Sequence, residues 1–212
     1  MASPTDIELL EQWRTGSTTA ADTLVKRYFP EIRTYFLTKF SNEHEELVQE
    51  TFKRLAEGRD AFRGEASFKT YLFKIAQYVG HEHLRERYRN GQRFEPASSS
   101  IADLTGRRQS SILAEREDYR LLLDATRRLP FAQQELLEHY YWQRLTAKEI
   151  AALNEIPEST VRSRIRLALQ RLAKIFAELS NKEHARELTE DEVERWFDEV
   201  RDEIGRATVR SD

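Results

Sequence analysis

Five basic side chains, Arg162, Arg164, Arg166, Arg171 and Lys174, fall between positions 157 and 176, against the single acid Glu158. Arginine presents a planar fork of donors that fits the guanine edge in a major groove or a phosphate oxygen. Helical spacing puts Ser159, Arg162, Ser163, Arg166, Gln170 and Lys174 on one face and Val161, Ile165, Ala168, Leu169 and Leu172 on the other. Small hydroxyls at the start of such a helix permit close approach to a duplex. The simpler alternative is a basic, solvated helix of a bundle.

A second cluster lies at 68–89. Phe68, Leu72, Ile75, Ala76 and Val79 make an apolar face, with Lys74, Gln77, Tyr78, His81, Arg85 and Tyr88 roughly opposite. Cations hold phosphates, and aromatic or amide groups stack on or hydrogen-bond to unpaired bases. A plain solvated face remains the alternative here too.

Catalytic and metal chemistry find little support. His81 and His83 are two residues apart, about 200° around a helix, whereas a helical zinc site needs i and i+4. There is no cysteine, so disulfides, thiol nucleophiles and thiolate metal sites are excluded. No glycine-rich phosphate loop or nucleophile elbow is present. The expectation is a protein that is not an enzyme, with no metal and no cofactor.

The elements that must position these residues are helices. The chain has 212 residues, with 7 glycines and 5 prolines, too few for a fold of many tight turns. Its net charge of −3 hides the basic segment, because 180–212 holds eleven acids against six bases. Ala21, Leu24, Val25, Tyr28, Ile32 and Tyr35 recur at helical spacing, as do Val48, Thr51, Phe52 and Leu55. A long helix is expected from about Ser67 to Arg89. The stretch 91–114, rich in serine and glycine, keeps no period and reads as a linker. Thr146 and Glu149 have capping-box spacing before a short helix; Asn154–Pro157 makes a turn, and a second helix runs from about Glu158 to Phe176. Two such helices read as a helix-turn-helix. In the acidic extension Thr189 and Glu192 repeat the capping box, and Val193, Trp196, Phe197, Val200 and Ile204 share one stripe. That stripe must dock on something, and two outcomes are open: a structural helix, or a regulatory tail whose acids mask the basic 157–176 helix.

The sequence-level division is therefore 1–92, a linker at 93–114, 115–179, and an extension at 180–212, in an all-α, two-domain architecture with a C-terminal amphipathic helix. Met1–Glu11 carries three acids and no base, unlike a secretory signal, and no apolar run approaches the ~20 residues that span a bilayer. A cytoplasmic protein without membrane insertion is expected.

Two stretches resemble the extracytoplasmic-function (ECF, group 4) sigma factors of bacterial RNA polymerase. Glu46–Phe52 with Phe62–Leu72 is similar to sigma region 2. Leu129-Pro130, Glu149–Ala151, Ile156-Pro157 and Ser159–Arg164 are similar to region 4. The resemblance implies that Leu47, Gln49, Glu50 and Phe52 grip the β′ coiled coil of core polymerase, with the β flap as a further contact. It implies that Phe62, Arg63, Ser67, Lys74, Gln77, Tyr78, His81 and Arg85 melt and read the −10 element, where a base is flipped from the stack. It assigns Ser159, Thr160, Arg162, Ser163, Arg166 and Gln170 to the −35 element. Promoter DNA and core polymerase are the implied partners, with an anti-sigma factor as an open third. The chain departs from the family pattern at Gln77-Tyr78, where Arg-Asn is usual, at Glu82 for aspartate, and at Glu155 for a turn glycine. A left-handed glutamate costs about 1 kcal/mol, which leaves the turn open to another form. A helix-turn-helix regulator acting without polymerase, and a sigma-like decoy that occupies a partner, are the competing functions.

Overall fold

The computed structural model describes residues 3–37, 39–40, 42–91, 117–180, 189 and 191–199, with side chains in the second half described from 121 onward. Among these residues there is helix and no strand. The chain divides into two compact units, Met1–Glu95 and Pro96–Asp212. The expected linker at 93–114 lies outside the described residues, as do Val200 and Ile204.

Unit 1 contains α1 (Asp6–Arg14), α2 (Thr18–Leu37), α3 (His44–Gly58) with a 3₁₀ turn at Arg59–Ala61, and α4 (Phe68–Arg89). Local chemistry sets the ends. Thr5 and Glu8 form a reciprocal capping box that starts α1. The Thr5 bonds hold the Glu8 carboxyl below the usual carboxylate range. Ser67 caps α4 by accepting from the Thr70 amide at 3.1 Å. Packing then selects the faces. Ile32, Tyr35, Phe36, Leu72, Phe73 and Ala76 are all fully buried. Tyr35 meets Phe36 and Phe73 edge-on, at 5.0 and 5.9 Å between ring centroids. Arg14 ties α1 to the far end of α3 by donating to the carbonyls of Arg59 and Phe62, each at 2.7 Å.

Helix α4 packs against both α2 and α3. Its buried surface is therefore wider than the single stripe expected from the sequence. Phe73, absent from that stripe, is wholly buried, and Gln77, placed on the polar face, is 8% exposed.

Unit 2 contains α5 (Glu117–Arg127), α6 (Phe131–Leu137), a π turn at Glu138–Trp142, α7 (Ala147–Asn154), α8 (Glu158–Leu179) and α9 (191–199). Helix α8 packs against α5, α6 and α7. Thr146 and Glu149 make the expected capping box at the start of α7. Glu155 ends α7 in the left-handed conformation, φ 55° and ψ 41°. The turn thus keeps the shape usually given to glycine, and the alternative form left open by the sequence is not adopted. The Glu155 amide donates to the Ala151 carbonyl, and the Ile156 amide donates to the same oxygen at 3.1 Å. Those bonds satisfy the carbonyl end of α7 and offset the strain.

Gly80 sits inside α4, where a Cβ would meet Phe36 Cε1 at 3.6 Å and Phe40 Cε2 at 3.7 Å, ordinary van der Waals contact. Glycine in a helix interior costs about 0.5–1 kcal/mol relative to alanine. Gly80→Ala is expected to stabilise unit 1 by about that amount, read as a higher urea midpoint. A lower midpoint would show that the Phe36 and Phe40 rings cannot yield.

Candidate nucleic-acid interface

Helix α8 presents two opposed faces. Val161, Ile165, Ala168, Leu169, Leu172 and Phe176 are buried, none more than 8% exposed. Ser159, Arg162, Ser163, Arg166 and Gln170 are exposed, and Thr160 is half-buried. Arg164, Leu167 and Arg171 form an adjoining exposed strip. The exposed face begins at the tight turn after α7, so the N-terminal turns of α8 present it to solvent. This is the geometry by which a second helix of a helix-turn-helix enters a major groove. Ser163 Oγ donates to the Ser159 carbonyl at 2.9 Å, which folds that hydroxyl against its own helix and lowers the profile between the arginines. Arg162 donates from Nε and Nη2 to Glu158 Oε1, at 3.0 and 2.6 Å.

In unit 1 the expected strip on α4 is partly assembled. Tyr78 is 53% exposed and Tyr88 61%, unusual for aromatic rings, and Arg85 is exposed beside them. Lys74 and His81 are half-buried on the same helix. Gln77 is buried and stands apart from this surface. In the loop before α4, Arg63 and Ser67 are exposed, but Phe62 is buried. Its ring lies 6.1 Å from Phe68 and 5.1 Å from Tyr71, so it anchors the loop from beneath. Tyr71 donates to the Gly58 carbonyl at 3.0 Å, and burial raises its phenol pKa above the ordinary value. The loop carrying Arg63 and Ser67 is thereby fixed at both ends to helices.

The α3 set is also divided. Leu47 is buried at 7% exposure, Gln49 is exposed, and Glu50 and Phe52 are half-buried. Phe52 stacks on Phe29 of α2, with centroids 6.2 Å apart and planes 17° apart. Phe29 is 44% exposed. Sequence reading missed it. The available signal was an aromatic one residue off the stripe that contains Tyr28. Glu50 accepts from Arg54 at 2.7 Å, and Arg54 reaches Glu82 of α4 at 2.6 Å. The Arg54 bond holds the Glu50 carboxyl below its ordinary range. Glu82, a departure from the family pattern, thus bridges α4 to α3. His83 packs edge-on against Phe40 with centroids 5.1 Å apart.

Helix α9 docks within its own unit. Thr189 and Glu192 make the capping box that starts α9. Val193, Trp196 and Phe197 are all buried. Phe197 stacks on Tyr141 at 4.9 Å with planes 9° apart, and meets Trp142 edge-on at 5.6 Å. Arg144 pairs with Asp198 and, at 3.7 Å, with Glu194. Among the described residues the contacts of α9 include the π turn and Arg144, and most of the acidic extension lies outside the described residues.

A short helix is not stable alone in water, so α9 persists through these ring contacts. Phe197→Ala is expected to cost about 3–5 kcal/mol at most and to release α9. Trypsin should then cleave after Arg195 much faster than in the unmodified chain. An unchanged cleavage rate would contradict the docking.

Comparison with known proteins agrees with this geometry. Residues 24–90 match the family model for sigma-70 region 2, and residues 119–172 that for sigma-70, region 4, together more than half of the chain. The chain is 26% identical over 173 residues to the ECF RNA polymerase sigma-E factor of Haemophilus influenzae, covering 76% of this chain and 89% of that one. It is 28% identical over 152 residues to the ECF RNA polymerase sigma factor RpoE of Cereibacter sphaeroides, covering 70% and 82%. It is 29% identical over 175 residues to the ECF sigma-E factor of Escherichia coli K12, covering 76% and 88%. Two solved structures share its fold at 20% identity. One is sigma factor RpoE in complex with the anti-sigma factor NepR from Bartonella quintana (TM-score 0.57, 72% of this chain and 92% of that one). The other is CnrH in complex with the cytosolic domain of CnrY (TM-score 0.59, 83% and 99%). With region 2 in one unit and region 4 in the other, in the order of these relatives, the chain belongs to the ECF-type RNA polymerase sigma factors, and its role lies in transcription initiation.

Proposed function

We infer that this chain, bound to core RNA polymerase, reads the −35 element as duplex with α8 and opens the −10 element with α4 and the loop before it. The observation that carries this reading is the contrast between the two exposed faces. Unit 2 offers arginines and small hydroxyls on one exposed helix face, which suits groove edges. Unit 1 offers exposed Tyr78 and Tyr88 beside Arg85, which suits unstacked bases. Unpairing a base costs a few kcal/mol, and aromatic platforms return part of it.

Gln49, Glu50 and Phe52, joined by Phe29, are the proposed grip on the β′ coiled coil, with the β flap as the partner of unit 2. Leu47 is buried, so its part in that grip is to shape the helix from within. Likewise Phe62 supports the −10 loop from below, and Gln77 is buried within unit 1. The solved RpoE structure in complex with an anti-sigma factor supports a partner of that class here. No helix among the described residues is long and apolar enough to cross a membrane. A cytoplasmic protein with no catalytic site of its own fits this role. The ring contacts of α9 support a structural part for it within unit 2.

A helix-turn-helix regulator acting without polymerase would use α8 in the same way. It has no use for the exposed aromatics of unit 1, which favours the sigma reading.

Two variants test the division of labour on one promoter with core polymerase. Arg166→Ala is expected to lose about 1–3 kcal/mol of discrimination at a −35 base pair if the guanidinium reads it bidentately. Equal loss on every sequence would make Arg166 a phosphate contact instead. Tyr78→Ala is expected to slow permanganate-detected opening more than closed-complex formation. Loss of neither step would remove Tyr78 from the melting surface.

A further inference from the structure

Glu158 is out of place on electrostatic grounds. It is the one acid on α8 before Glu178, at the end that would meet DNA, where a carboxylate repels phosphate. Three first-turn glutamates elsewhere in the chain close capping boxes, Glu8 with Thr5, Glu149 with Thr146 and Glu192 with Thr189, while Glu45 and Glu46 at the start of α3 have no such cap. Glu158 closes none either. The N-cap of α8 is Pro157, which makes no side-chain cap bond. Its carboxylate instead takes two donors from Arg162, one turn along. An acid there also complements the helix dipole, but an exposed pair of this kind contributes little to stability. Side-chain exposure is 67% for Arg162 and 42% for Glu158.

What the pair does well is orient. A guanidinium has five N–H donors in a rigid plane. Glu158 engages the Nε edge and one Nη2 hydrogen. The opposite edge, from Nη1 and the second Nη2 hydrogen, keeps the spacing that fits O6 and N7 of guanine. Holding a long side chain in one rotamer before binding removes an entropy loss that would otherwise weaken the base contact. Arg162 also lies in the first turns of the second helix, where base-edge contacts are made.

We propose that Glu158 is a positioning residue for promoter recognition, fixing Arg162 so that its free edge reads one guanine of the −35 element. This rests on the assignment of the exposed face of α8 to that element. Glu158 touches no base; it sharpens the choice that Arg162 makes, at some cost in general affinity for DNA.

The test uses the full chain with core polymerase and a promoter library randomised across the −35 element, with transcripts counted by sequence. Arg162→Ala is expected to flatten the preference at one base pair. Glu158→Ala is expected to reduce preference at that same pair about three- to tenfold, a part of one bidentate contact, while output from disfavoured sequences holds or rises. Glu158→Gln, which keeps an acceptor oxygen without the charge, should restore part of the preference. In the Arg162→Ala background, Glu158→Ala should change nothing further. An effect at a different base pair, or one that persists without Arg162, would overturn the proposal in favour of direct reading by Glu158. Uniform loss on all sequences would overturn it in favour of a purely structural role. If Arg162→Ala and Arg166→Ala both leave every −35 position unchanged, the assignment of α8 itself fails.

Discussion

Val161, Ile165, Ala168, Leu172 and Phe176 lie along one line of α8, and each is almost wholly shielded from water. Burying side chains of this size contributes about 1.5–3 kcal/mol apiece for the larger ones, and α5, α6 and α7 all pack on that helix. The same 22-residue helix carries the exposed arginines. Its apolar line therefore fixes both the core of unit 2 and the direction in which the basic face points. A rotation of α8 by a fraction of a turn would bury charge and expose leucine together. The placement of the basic face is set by the core beneath it.

Unit 1 follows a related rule with a different balance. Helix α4 is squeezed between α2 and α3, so it buries more than one stripe and leaves only a narrow exposed strip. Aromatics remain on that strip at Tyr78 and Tyr88, where burial would have been the cheaper outcome for an isolated fold. Charge pairs such as Arg54 with Glu50 and Glu82 hold α3 against α4 beside the proposed polymerase grip. The surface that would meet DNA and the surface that would meet polymerase thus share one helix pair.

Much of this was legible from residue order because the governing signals are local. The Thr146–Glu149 and Thr189–Glu192 caps act over three residues, and the stripe of α8 repeats within one helix. What escaped depends on tertiary neighbours. Phe73 and Gln77 are buried because α4 has two packing partners, which a single-stripe reading does not anticipate. Residues 134–143 are buried apart from half-buried Tyr140, and they include Glu135, Glu138 and His139, each of which has an interaction partner. The Gln143 amide donates to the Glu138 carbonyl at 2.9 Å, the i to i−5 bond of a π turn. Helix α9 then packs its rings on Tyr141 and Trp142 of that turn. Neither the wider turn nor its cover is written in local periodicity. The left-handed Glu155 escaped for a similar reason, since its strain is offset by bonds at the end of α7.

The central claim is that one chain joins a duplex reader to a single-strand reader on a shared polymerase. Run-off transcription on fragmented genomic DNA from the source organism, with core polymerase and the full chain, tests it most directly. The account predicts defined start sites preceded by two common upstream elements at a fixed separation, absent when the chain is omitted. Binding to core polymerase without any defined start, or starts with no shared upstream elements, would contradict it.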